Sequence, residues 1–252
     1  MAIIEASGLT KRYGRVTAVD ELSFTVEAGQ VVGFLGANGA GKTTALRMLV
    51  GLVRPDHGSA TICGRPYADL TVPAAQVGAV FEATSFHPGR TARNHLRVQA
   101  LAADVDAARI DDVLELVDLS HAAGKRVGAF SLGMRQRLGL ATALLGDPDV
   151  LILDEPANGL DPEGMRWLRG LLRGMAADGT AVLVSSHVLA EVAQTADSVI
   201  IVSSGRLVTE APVAQLTAGA GLEDVFLEIT AAEKDREKDR AGKRQPSPEA
   251  SR

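Results

Sequence analysis

The chain has 252 residues, 46% of them hydrophobic, a formal net charge of −5 and one cysteine, Cys63. That length can enclose a sizeable core, as one large domain or one domain with an inserted lobe. The acidic balance argues against a general nucleic-acid binder, which is usually basic, and a lone cysteine excludes disulfides within the chain and argues against a cysteine-based zinc site.

No apolar run approaches the roughly 18 residues of a membrane span. The opening MAIIEASGL lacks the basic start and apolar stretch of a signal peptide. A soluble chain is expected, with any role at a membrane borrowed from a partner.

In chain order, short apolar runs rich in branched residues predict strands at residues 3–4, 22–26 and 31–35. A helical segment follows at 43–50. Residues 91–145 carry almost no strand signal and are expected to form a helical lobe. Thr91 caps ARNHLRVQALAA, and Ile110, Val113, Leu114 and Val117 form an apolar stripe. Further strands are expected at 150–153, 181–184 and 198–202, with helices at 165–176 and 188–195. Several of these strands are continuously apolar, as suits strands covered on both faces. Their alternation with helices implies an α/β core around a mainly parallel sheet. Near the end, Leu222, Val225, Phe226 and Ile229 recur at helical spacing. Residues 231–252 contain no Val, Ile, Leu or Phe and read as a disordered charged tail.

The most specific motif is GANGAGKT at residues 36–43, directly after the apolar run VVGFL. It fits the phosphate-loop pattern G-x-x-x-x-G-K-[ST]. Gly36, Gly39 and Gly41 allow a tight turn whose successive N–H groups point at phosphate oxygens. Lys42 then reaches the β- and γ-phosphates, the Thr43 hydroxyl suits Mg²⁺, and the helix that follows adds its positive end. Nucleoside triphosphate binding follows from the residues alone. VLILDEP, residues 150–156, carries Asp154 and Glu155 to the tip of a buried strand, where open α/β sheets bind ligands. Asp154 suits Mg²⁺, and Glu155 suits activation of water. A surface turn would explain Asp-Glu-Pro in isolation, but the phosphate loop upstream favours the functional reading. AVLVSSH ends in His187, which is either structural or a second group facing the same phosphate. A further anion site is suggested by FSLGM at residues 130–134, where Ser131 stands at a helix N-cap with Gly133 two residues on.

In this order, over roughly residues 2–217, these elements resemble the ATP-binding cassette (ABC) family of ATPases. The resemblance implies a phosphate-loop ATPase core, an antiparallel β portion at the N-terminus and a helical lobe inserted at about 91–145, all within one domain of about 230 residues. Tyr13 in LTKRYG falls where that family stacks an aromatic on adenine. Residues 36–43 match its phosphate loop, so Asn38, Ala40 and the adjoining Thr44 are expected around ATP beside the residues already named. Glu155 falls at its catalytic carboxylate and His187 at its switch histidine, a contact to the γ-phosphate. ANGLD, which ends in Asp161, matches the loop that crosses to the other subunit. FSLGM occupies the signature position, the most diagnostic element. In the family two cassettes pair head to tail, and each signature helix caps the ATP held by the other. Ser131 and Gly133 are thus expected to act on a partner's nucleotide.

The chain departs from the family pattern in two places, the signature Leu-Ser-Gly-Gly-Gln and the usual glutamine upstream of the lobe. Phe130, Leu132 and Met134 replace the first, third and fifth signature residues, and Glu82 stands for the glutamine. A carboxylate at position 82 can still coordinate Mg²⁺ but changes the local charge by one unit. Both variants look like the bacterial drug and antibiotic exporter branch, as does GLEDVFLEIT near the C-terminus. The resemblance implies the ATPase subunit of an exporter, paired as a homodimer and working with a separate permease on the inner face of the cell membrane. An importer ATPase would more often carry glutamine at position 82 and a longer folded C-terminal domain. Non-transport cassettes in translation or DNA repair usually fuse two cassettes or insert long coiled coils, and a nucleotide kinase needs no signature helix.

Overall fold

The computed structural model describes residues 2–81 and 86–216. Glu82, the expected helix at 221–230 and the charged tail at 231–252 lie outside the described residues.

The first part of the chain forms β1 (Ala2–Tyr13), β2 (Val16–Glu27), β3 (Val31–Leu35), α1 (Lys42–Leu49), β4 (His57–Ile62), the single turn α2 (Pro73–Gln76) and β5 (Val77–Val80). Three helices follow without an intervening strand: α3 (Ala92–Ala102), α4 (Arg109–Leu116) and α5 (Leu132–Ala143). The rest alternates as β6 (Val150–Asp154), α6 (Pro162–Ala177), β7 (Ala181–Ser186), α7 (Leu189–Thr195), β8 (Ser198–Ser203), β9 (Arg206–Pro212) and the single turn α8 (Val213–Leu216).

Two sheets result. One is antiparallel, in the order β2-β1-β4; the other has six strands in the order β5-β6-β7-β3-β8-β9, parallel except for β9. The phosphate-loop strand β3 lies inside the larger sheet between β7 and β8. Its residues alternate between two apolar cores. Val31 and Leu35 join helices α3 to α7 on one face, whereas Val32 and Phe34 join α1 and the antiparallel sheet on the other. β6 divides the same way, with Leu151 and Leu153 opposite Val150 and Ile152. Burial on both faces is why these strands read as unbroken apolar runs, and each such side chain contributes about 1.5–3 kcal/mol. Phe24 and Phe34, with ring centroids 5.3 Å apart, join the two sheets.

Thr91 caps α3 as expected, accepting a bond from the Asn94 amide at 3.2 Å. The stripe Ile110, Val113, Leu114 and Val117 is buried, but it belongs to the same core as Val80 and Leu153. The lobe therefore has no core of its own: α5 packs on β5 and carries the lobe's apolar side chains into the sheet. β4, β5 and β9 form where no strand is expected from the apolar runs. They are short or largely solvent-facing, so their apolar signal is weak. Among the described residues no helix is long and apolar enough to cross a membrane.

Candidate functional site

Residues 36–41 turn from the tip of β3 into α1, and beside this turn lies a cavity of about 240 Å³. Its walls run from Ala37 through Asn38, Gly39, Ala40, Gly41, Lys42, Thr43 and Thr44, with Ala18 and Glu155 completing them. Gly41 has φ +98°, and a Cβ there would stand 2.2 Å from the Ala18 carbonyl oxygen, so both conformation and space demand glycine. That close approach docks the β1–β2 hairpin on the loop. Tyr13, at the end of β1 and paired with Val16, is 50% exposed near the hairpin tip. A second brace comes from far downstream. The Gly205 amide donates to the Ala40 carbonyl at 3.0 Å, and the Gly205 carbonyl accepts from the Asp20 amide at 2.9 Å.

Lys42 is only 6% exposed, and Nζ donates to the Gly36 carbonyl at 2.6 Å. The same ammonium stands 3.4 Å from Glu155 Oε1. Thr43 Oγ1 donates to Asp154 Oδ2 at 2.6 Å, which brings the loop's hydroxyl and the β6 carboxylate together. The other Asp154 oxygen accepts from Ser185 Oγ at 2.5 Å. Ser185 lies directly opposite Asp154 in the parallel pairing of β6 and β7. Its oxygen also accepts from the Glu155 amide at 2.9 Å. Glu155 has φ +52°, a left-handed conformation that costs a non-glycine residue about 1–3 kcal/mol and marks functional sites. This kink at the end of β6 turns the Glu155 side chain back over the loop. There Oε2 meets His187 Nδ1 at 2.8 Å. One carboxylate thus spans the Lys42 ammonium and the His187 ring, and Asp154 and Thr43 sit beside it.

Ser131 and Gly133 are not among the residues that line this cavity. Ser131 caps α5, with Oγ accepting from the Met134 amide at 3.2 Å, and Gly133 faces the carbonyl of Gly159. Asp161 likewise caps its own helix, α6, through the Gly164 amide at 2.7 Å. The signature and ANGLD elements adjoin each other but stay apart from the chain's own phosphate loop. Sequence reasoning missed Ser185, Ala18 and Gly205. The pairing of Ser185 with Asp154 depends on strand register, and neither of the other two carries any motif.

A phosphate loop on an inner strand of a mainly parallel sheet, faced by two acidic residues at the end of another, defines a nucleoside-triphosphatase of the phosphate-loop class. The chain belongs to the ABC transporter family: the family's sequence profile matches residues 19–158. It is 44% identical over 213 residues to the bacitracin transport ATP-binding protein BcrA of Bacillus licheniformis, covering 83% of this chain and 70% of that one. The Nod factor export ATP-binding protein I of Burkholderia lata is 40% identical over 215 residues, covering 83% and 71%. Among solved structures, an ATP binding subunit of an ABC transporter matches with a TM-score of 0.82 at 28% identity, over 90% of this chain and 99% of that one. The protein is an ATP-binding, ATP-hydrolysing cassette of this family.

Proposed function

We propose that this cassette powers export through a separate permease at the inner face of the membrane, by closing head to tail on a second copy of itself around ATP. The observation that carries the chemistry is the single carboxylate of Glu155, held between Lys42 and His187 over the phosphate loop. Lys42 binds the β- and γ-phosphates. Glu155 takes the proton of the attacking water, a role that typically contributes about 10²–10⁴ in rate. His187, oriented through Nδ1 by Glu155, presents its other ring nitrogen to the γ-phosphate. Tyr13 stacks on the adenine. Thr43 and Asp154 suit Mg²⁺, which favours hard oxygen donors and is usually held by one or two carboxylates with the substrate's phosphates. When bound, the metal offsets charge developing on the phosphate oxygens. Glu82 joins that set in this reading. Export is supported by the relatives named for bacitracin transport and Nod factor export.

The cavity's own walls include nothing from α5, and this favours Ser131, Gly133 and Asp161 acting on the partner's nucleotide. Mixing two defective proteins tests it. Ser131→Arg blocks the signature pocket and Lys42→Ala disables the phosphate loop; Glu155→Gln in both holds ATP. Head-to-tail pairing puts both lesions of a mixed dimer in one composite site and leaves the other intact. ATP-dependent dimer, measured by light scattering, is expected in the mixture and not with either protein alone. A mixture no better than its components overturns the head-to-tail reading.

A further inference from the structure

Leu132 begins α5 one residue after Ser131, and it is 50% exposed. Its covered part lies on Gly159, in the loop between Glu155 and α6. A Cβ on Gly159 would stand 2.3 Å from Leu132 Cδ2, 2.5 Å from Cγ and 3.3 Å from Cβ. The first two separations are shorter than carbon atoms tolerate, so the Leu132 side chain fills the volume that any side chain at position 159 would need. From the other side, a Cβ on Gly133 would come within 3.3 Å of the Gly159 carbonyl oxygen. The two elements are fastened again further along. The Arg137 guanidinium of α5 lies 4.4 Å from the ring centroid of Trp167 on α6.

We infer that Leu132 is a positioning residue, which seats in the socket at Gly159 and fixes Ser131 against the loop at 157–161. The signature opening and that loop then cross to the partner as one body. This rests on the proposed reading of Ser131 as acting on the partner's ATP. Hydrogen bonds weaken steeply with misalignment, so a helix start displaced by about 1 Å presents its amides poorly. A pre-assembled unit also loses less freedom when the dimer closes.

A double-mutant cycle at 132 and 159 tests the coupling, with Glu155→Gln as parent. Gly159→Ala, Leu132→Gly and the pair are compared for ATP-driven dimerisation by light scattering, for ATP affinity of the single chain and for melting temperature. Gly159→Ala is expected to weaken dimerisation about tenfold, with single-chain ATP affinity within about twofold of the parent. In the Leu132→Gly background, which is itself expected to dimerise less well than the parent, Gly159→Ala is expected to cost little more. The left-handed backbone at Gly159 (φ +81°) strains alanine in both backgrounds, but the overlap exists only when Leu132 is present. Equal damage with and without Leu132, or parent-like dimerisation by Gly159→Ala, overturns the inference. If Gly159→Ala does not fold, Leu132→Gly alone decides: weaker dimerisation at a near-parental melting temperature supports the inference, and parent-like dimerisation overturns it. Ser131→Arg is run alongside. Should it dimerise like the parent, or the parent form no ATP-dependent dimer, the reading of Ser131 falls and the inference with it. A damaged Ser131→Arg without coupling between 132 and 159 overturns the inference alone.

Discussion

The hydroxyl of Ser185 donates to Asp154 and accepts from the Glu155 amide, so one fully buried oxygen orients neighbouring carboxylate residues with different work. Ser185→Ala leaves the Glu155 amide and an Asp154 oxygen without this partner and is expected to cost about 1–3 kcal/mol of stability. Turnover should fall with it, because the left-handed turn at Glu155 loses its tether. A denaturant midpoint and a phosphate-release rate both equal to the parent's would remove Ser185 from this role. Glu155→Gln is expected to keep ATP affinity while lowering phosphate release by about 10²–10⁴. His95 gives a residue-scale pH dependence. Burial first, and the charge of Arg90 second, hold its imidazole below the usual value of 6.5. Nε2 lies 3.2 Å from Thr142 Oγ1, and the Phe86 ring stands edge-on at 4.9 Å. The unfolded chain therefore takes up this proton more readily than the folded one. The stability that neutral His95 contributes is complete above about pH 6.5 and is lost as pH falls through the lowered value. Melting temperatures between pH 7.5 and 5.5 should decline less in His95→Gln than in the parent.

Helices α5 and α6 meet through a stack whose edges are also bonded. Arg137 donates to the Val117 carbonyl at 3.0 Å, and Trp167 Nε1 donates to the Leu116 carbonyl at 3.3 Å, so both close on the end of α4. Arg137→Lys keeps the charge but loses the planar stack and the fixed fork, an expected cost of about 1 kcal/mol in a denaturant titration. No spacing in the sequence announces that junction. Legible elements were those whose residues all face apolar surroundings: β3, β6, β7 and β8 are unbroken runs because both sheet faces are covered. HGSATI of β4 buries only Ile62, VGAV of β5 is four residues long, and RLVTEAP of β9 lies at an edge with no fully buried residue. The same distinction divides the site. Phosphate binding needs consecutive amides, so residues 36–43 are contiguous and readable. The neighbour that steers Asp154 and Glu155 comes from the register of β6 on β7, which no local pattern encodes.

For the whole molecule, ATP is a structural ligand as well as a substrate. At a hundredfold excess over Kd it should add about 2.7 kcal/mol to stability, or about 5–11 °C in melting temperature for a chain of this size. Lys42→Ala should abolish most of that shift; an undiminished shift would show that ATP is held elsewhere. The position of β3 between β7 and β8 also imposes a timetable on synthesis. Val31 pairs with Val182 and Val32 with Ser198, partners that leave the ribosome about 150 residues later. At about 5–20 residues per second, the strand that ends in the phosphate loop waits roughly 8–30 seconds for its neighbours. The β1–β2 hairpin is local and can close early, whereas loop-closure entropy delays the central pairings. A chain arrested before residue 181 would carry the entire phosphate-loop motif with neither of the strands that flank β3. Competence to bind ATP therefore arrives late in translation, although the phosphate-loop motif at residues 36–43 is among the first segments made.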